Sequence, residues 1–214
     1  MKLYFLEARW KGKLKLKRFE SLPKKLGLCS SVQFLDVLPA VKSQLEATGR
    51  KVSLIKATHA SHKGQILGCS KFKLEAPAVL YIGDGSFHPN NIKLNFPGRV
   101  FSYNPFTDKL TETKKVSRFQ KRQQGMLAKF YDSETIGVLI TTKPGQNWRL
   151  YEKLEQKFPN KKFYYLIFND ISFSEFLNFP FVELWLNTAC PRIGIEDAFV
   201  HKLPLLNIDQ LDLD

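Results

Sequence analysis

Three of the 214 residues are cysteines, at positions 29, 69 and 190, and their settings differ. Cys29 lies inside the apolar run "KLGLCSS" (25–31), Cys69 follows a glycine in "GQILGCS", and Cys190 follows the apolar run "FVELWLNTA" with Pro191 and Arg192 behind it. A thiol in the middle of a strand is by default a small buried hydrophobe, and Cys29 takes that reading. Ligands of open α/β sheets collect in the crevice beyond the carboxyl ends of the strands. Cys69 and Cys190, each in a loop after an apolar stretch, are therefore the two cysteines expected to ligate a metal, meeting across the interface between two domains. His59 and His62 could join them in a mixed His/Cys zinc site. The spacing of His59 to Cys69 is loose for zinc, so an iron–sulfur cluster is preferred.

Two further stretches place polar groups where such a crevice would open. "TTKPGQ" (141–146) ends a strand in a Pro-Gly turn that launches a helix, and the backbone N–H groups of such a turn favour a carboxylate or phosphate. Gln146 adds a carboxamide that can donate and accept, and Arg192 can clamp a carboxylate in bidentate fashion. The spacing and the Lys-Ser/Thr ending of a Walker loop are absent. "YIGDGSFHP" (81–89) is read the same way: Asp84-Gly85 makes a tight turn, and faces a ligand because it too ends a strand.

The elements that must hold these groups are short β-rich runs alternating with helical patterns, the signature of βαβ units and a mostly parallel sheet. In the first half the expected strands are 25–31, 51–57, 78–85 and 98–105, with a helix where Phe34, Leu35, Leu38, Val41 and Leu45 recur before Gly49 and a short segment broken by His88-Pro89. A basic helix over about 114–131 bridges to a second set, with strands at 135–142, 161–170, 181–189 and 202–207. A helix opens in "KPGQNWRLYEKLEQKF" and a short one covers "SFSEFLNF". The expected fold is α/β: two small domains, each with a roughly four-stranded, mostly parallel sheet flanked by helices. Their bounds are a basic N-terminal arm over 1–21, a domain carrying Cys69 over 22–115, and a domain carrying Cys190 over 116–214.

Composition sets the outer limits. At 43% hydrophobic the chain can bury a real core. The N-terminal "MKLYFLEARW" is too charged for a signal peptide, and no run of about 18 apolar residues exists to span a bilayer. An odd number of widely spaced cysteines argues against a disulfide framework and for a reducing, cytoplasmic setting. The net charge of +13 is concentrated in "KGKLKLKR" (11–18) and "KKVSRFQKRQQ" (114–124). Such patches attract phosphate backbones or acidic proteins, or are simply solvated. No nucleic-acid-binding module signature accompanies them, which leaves a basic nucleic-acid-binding module as a remote reading.

Five ordered motifs, "LPKKLGLCSSVQFLDVLP", "GQILGC", "YIGDGSFHP", "TTKPGQ" and "NTACPRIGIED", resemble the archaeal diphthamide-synthesis enzyme family, 2-(3-amino-3-carboxypropyl)histidine synthase, from about residue 22 onward. The resemblance implies pseudo-threefold α/β domains, each giving one cysteine to a central 4Fe-4S cluster. Cys69 would be the second domain's ligand and Cys190 the third's, with Cys29 at a position that is not a ligand. The family's first domain has no counterpart in 1–21, so a partner chain, or a homo-oligomer, is expected to supply the third cysteine. The resemblance further implies a radical-type transferase, in which an electron from the cluster cleaves S-adenosylmethionine. The resulting 3-amino-3-carboxypropyl group adds to a histidine of translation elongation factor 2. Gln146 and Arg192 would grasp the methionine amino and carboxylate groups, and Asp84 and His88 would line the pocket wall. The competing expectation is a non-catalytic accessory subunit that delivers electrons or docks the protein substrate.

Overall fold

Five consecutive buried residues close β1 (Lys25–Ser30), and β3 (Ala78–Ile82) is buried throughout. Strands buried on both sides need cover on both faces, which is the setting of a parallel sheet. The computed structural model describes residues 4, 6–17, 19–113, 117–144, 146 and 151–213, and it divides into two units, Met1–Val116 and Ser117–Asp214. In the first unit β1, β2 (Lys51–Leu54), β3 and β4 (Arg99–Asn104) run parallel, and β5 (Lys109–Glu112) pairs antiparallel with β4, in the order β2-β1-β3-β4-β5. The sheet thus has one strand more than the alternation of the sequence predicts. β5 is short and mostly exposed, so it carries little apolar signal, and the turn before it is made by Asn104, whose Oδ1 accepts from the Phe106 and Thr107 amides.

Alternation along β1 splits the unit's core. Leu26 and Leu28 face α1 (Leu38–Glu46) and the preceding 3₁₀ turn Val32–Val37, joining Phe34, Leu38, Val41, Leu45, Leu80 and Phe101. Cys29 faces the other way, among Ile55, Val79, Tyr81, Ile92 and Val100. The helix α2 (Phe87–Asn95) spans the segment expected to be broken at His88-Pro89. Pro89 falls in its first turn, where a missing N–H forfeits no intrahelical bond. Residues 10–17, within the segment expected to be a basic arm, pack on this unit. Leu14 and Leu16 are buried in the α1-side core, and the Gln44 carboxamide donates to the Leu14 carbonyl and accepts from the Leu16 amide, both at 2.9 Å. Their exposed neighbours Lys13, Lys15 and Lys17 alternate outward; Arg18 lies outside the described residues.

The second unit is an all-parallel sheet of β6 (Thr135–Thr141), β7 (Lys162–Phe168), β8 (Leu184–Asn187) and β9 (Leu205–Asn207), in the order β7-β6-β8-β9. One face carries Phe130 of α3 (Ser117–Asp132) and Leu154 of α4 (Tyr151–Lys157) against Ile136, Val138, Leu184 and Leu186. The other carries Phe176 of the 3₁₀ segment Phe173–Asn178 and Ala198 against Leu139, Trp185 and Leu205. A final helix, α5, covers 191–200 and is π-helical over Ile193–Asp197. The first residues expected in the basic helix, 114–116, lie outside the described residues, as do Gly145 of the Pro-Gly turn and 147–150 of the next predicted helix. Among the described residues no helix is long and apolar enough to cross a membrane.

Candidate functional site

In each sheet the chain reverses its direction of growth at one place: between β1 and β3 in the first unit, and between β6 and β8 in the second. The loops leaving the two strands then part to opposite sides, and a crevice opens at the carboxyl ends. Both exposed or half-exposed cysteines belong to loops at these crevices.

In the first unit the β2-to-β3 connection returns to the end of β1. The Ser30 amide donates to the Gly64 carbonyl at 2.8 Å and the Ile66 amide donates back to the Ser30 carbonyl at 2.9 Å. Beyond this pairing the loop turns at Leu67–Ser70, where buried Ser70 accepts from the Leu67 amide and donates to the Thr58 carbonyl. α2, which follows β3, grips the same turn. The Asn91 Nδ2 donates to the Gly68 carbonyl at 2.6 Å, and the Phe87 ring lies where a Cβ on residue 68 would stand, 2.6 Å from Cε1. Gly68 is thus required by close approach. Cys69 stands exposed at the tip of this anchored turn.

Asp84 is exposed in the turn after β3, and half-buried His88 sits on α2 beside Phe87. The His88 ring stacks on buried Tyr81, centroids 5.4 Å apart, with the phenol oxygen 3.3 Å from Nδ1. Burial pushes the Tyr81 phenol up to about 12. His62, by contrast, turns toward Glu7, Nε2 to Oε1 at 2.8 Å, and lies 3.3 Å from the Arg9 guanidinium. Among the described residues no three His, Cys, Asp or Glu side chains gather as a metal site would need.

In the second unit β8 ends at Asn187, and Cys190 follows three residues later, half-buried, at the entrance to α5. Buried Thr188 ties the loop to β6 by donating to the Leu139 carbonyl at 2.7 Å. Ala189, just before Cys190, and Ile193, three residues after it, line a pocket of about 190 Å³ with Gln146, Thr141, Lys143 and Asp170. Gln146 therefore shares a crevice with the loop of Cys190, as its sequence position suggests. Arg192 is exposed in the first turn of α5 and is not among the residues that line that pocket. Lys143 reaches Asp170 at 2.5 Å across the pocket's rim, and this holds the Asp170 carboxyl below its usual range. Neither this pair nor the asparagines 91, 187 and 207 stand out in the sequence. Polar residues at strand ends and helix surfaces are read as solvated until burial is known.

Cys29 differs from both loop thiols. It is fully buried in the sheet, and desolvation raises its thiol well above the ordinary range.

Each unit is an α/β fold that presents one cysteine on a loop beyond the carboxyl ends of its mostly parallel sheet. Residues 11–213 match the family model described as "Putative diphthamide synthesis protein", and the chain belongs to that family. It is 29% identical over 202 residues to 2-(3-amino-3-carboxypropyl)histidine synthase of Pyrococcus horikoshii, a match covering 91% of this chain and 58% of that protein. It is 31% identical over 188 residues to subunit 1 of the synthase of Homo sapiens, covering 85% of this chain and 42% of that one. The crystal structure of Dph2 from Pyrococcus horikoshii with a 4Fe-4S cluster superposes with a TM-score of 0.77 at 28% identity, over 88% of this chain and 57% of that chain. The chain spans about half the length of these relatives.

Proposed function

We propose that this chain forms two of the cluster-bearing domains of a 2-(3-amino-3-carboxypropyl)histidine synthase. The reaction is transfer of the 3-amino-3-carboxypropyl group of S-adenosylmethionine to a histidine of translation elongation factor 2, the first step of diphthamide synthesis, in the cytoplasm. The observation that carries this reading is the placement of Cys69 and Cys190, each on an anchored loop at a sheet's switch point, while Cys29 is withdrawn into a core. The donor set fits an iron–sulfur cluster: soft thiolates are its ordinary ligands, and both sulfurs stand on loops fixed by hydrogen bonds rather than on mobile tips. Such clusters ordinarily take three or four thiolates. A third is therefore assigned to polypeptide outside these 214 residues.

When bound, the cluster would supply the electron that breaks the bond from sulfur to the γ-carbon of S-adenosylmethionine. The residues of this chain bind and orient. Cys69 and Cys190 hold iron. The Gln146 carboxamide, in the pocket beside the Cys190 loop, accepts from the methionine ammonium or donates to its carboxylate. Arg192, two residues beyond Cys190, clamps the carboxylate. Within the first unit Asp84 and His88 are the candidates for ligand contact, the imidazole held flat by its stack on Tyr81.

The test is anaerobic reconstitution with iron and sulfide, alone and with a candidate partner, read by visible absorption and by EPR after reduction. Cluster formation that is lost in Cys69→Ala and Cys190→Ala and kept in Cys29→Ala is expected; absence of a cluster under every condition would end the reading. A second reading is an accessory subunit for electron delivery or substrate docking. It predicts that Cys69→Ala and Cys190→Ala leave modification of the elongation factor largely intact in the reconstituted complex.

A further inference from the structure

We propose that Asn187 and Asn207, with Gly194 making room for them, form a buried carboxamide clamp that fixes the backbone of residues 189–191 and so sets the direction of the Cys190 thiol. The effect on a bound cluster rests on the reading above; the clamp itself does not.

Asn187 ends β8 and Asn207 ends β9, adjacent strands in register at these residues, and both side chains are buried, at 1% and 5% exposure. The Asn187 Oδ1 accepts from the Ala189 amide at 3.1 Å. Its Nδ2 donates to the Cys190 carbonyl at 3.0 Å and to the Asn207 Oδ1 at 2.7 Å. The Asn207 Nδ2 then donates to the Pro191 carbonyl at 2.9 Å. The chemistry fixes both amide orientations. A backbone N–H can only donate, so it takes the Asn187 oxygen; the nitrogen left over must find acceptors, and each remaining partner is one.

Three successive residues around the thiol are thus held by two side chains that are themselves pinned at strand ends. The Cys190 carbonyl also accepts from the Ile193 amide at 3.0 Å, which ties the clamp to the first turn of α5. Gly194 belongs to the device. A Cβ there would stand 2.1 Å from the Asn207 Oδ1 and 2.5 Å from its Cγ, so any side chain at 194 expels the carboxamide from its place. Unit one reaches the same end with Asn91 on the Gly68 carbonyl. Asn187 and Asn207 are positioning residues: they act on the ligand only through Cys190.

Hydrogen exchange on the wild-type chain is the first arm. The Ala189 amide is expected to be protected as strongly as the β8 amides; exchange at the rate of an open loop would overturn the clamp. Asn187→Leu, which keeps the volume and removes every polar contact, and Gly194→Ala, which leaves both asparagines but displaces Asn207, form the second arm. In folded variants of either kind, the alkylation rate of Cys190, normalised to that of Cys69 in the same sample, is expected to change several-fold. An unchanged ratio would overturn the proposal.

On the reconstituted complex both variants should retain iron about 10-fold or more less tightly, with altered EPR g-values and a shifted reduction potential. A merely structural role would move stability and leave those signatures as they are. Should no preparation take up a cluster, the exchange and alkylation arms still decide the clamp, while the functional reading alone falls.

Discussion

At Cys29 a thiol is surrounded by Ile55, Val79, Ile92 and Val100, with no exposure, so its place in the molecule is that of an apolar side chain. Replacing it with serine puts a hydroxyl among aliphatic groups at a cost of about 1–3 kcal/mol. A lowered urea midpoint for Cys29→Ser, with cluster content unchanged, is the expected result. Tyr81 beside it makes a prediction in pH. Its phenol, ordinarily near 10, is raised to about 12 chiefly by burial, so the fold prefers the neutral form. Its contribution to stability is complete below pH about 10 and is lost as pH rises toward about 12. Tyr103 is shifted in the same direction by burial and by the neighbouring Asp108. Denaturation midpoints measured on either side of pH 10 should therefore fall, and fall less in Tyr81→Phe.

At the scale of elements, two glycines separate packing from propensity. A Cβ at Gly137 on β6 would meet the Trp185 ring at 2.4 Å and Val182 at 3.0 Å, and overfilling of this kind costs about 1–3 kcal/mol. A Cβ at Gly125 in α3 meets nothing within 4 Å, and alanine there should stabilise by about 0.5–1 kcal/mol. Thermal melts of Gly137→Ala and Gly125→Ala are expected to move in opposite directions. The strands at 25–31, 78–85 and 135–142 were legible because their apolar runs are long and bounded by turns, and the loop position of Cys190 because it follows such a run. β5 was not, since Lys109–Glu112 is an exposed edge with a weak pattern. The packing of residues 10–17 was masked by their lysines, which alternate with the two leucines that go inward. The asparagine pair could not be read at all: Asn187 and Asn207 are 20 positions apart, and only the parallel pairing of β8 with β9 brings them together.

For the molecule as a whole, the net charge of +13 is the property that most invites a different reading. Part of it is locally balanced: Lys11 and Arg9 meet Asp36, Lys17 meets Asp108, and Arg99 meets Glu112. RNA binding by this chain is expected to be electrostatic alone, indifferent to sequence and falling steeply with salt. A titration that showed sequence preference persisting at high salt would restore the nucleic-acid reading. The contrast between Cys29 and the other two thiols has a practical side as well. Because its sulfur can meet a reagent only when the sheet around it comes apart, pulsed labelling at position 29 counts the unfolded fraction directly. The chain thus carries its own gauge of global opening, readable in the same mass spectrum that reports the state of the crevice.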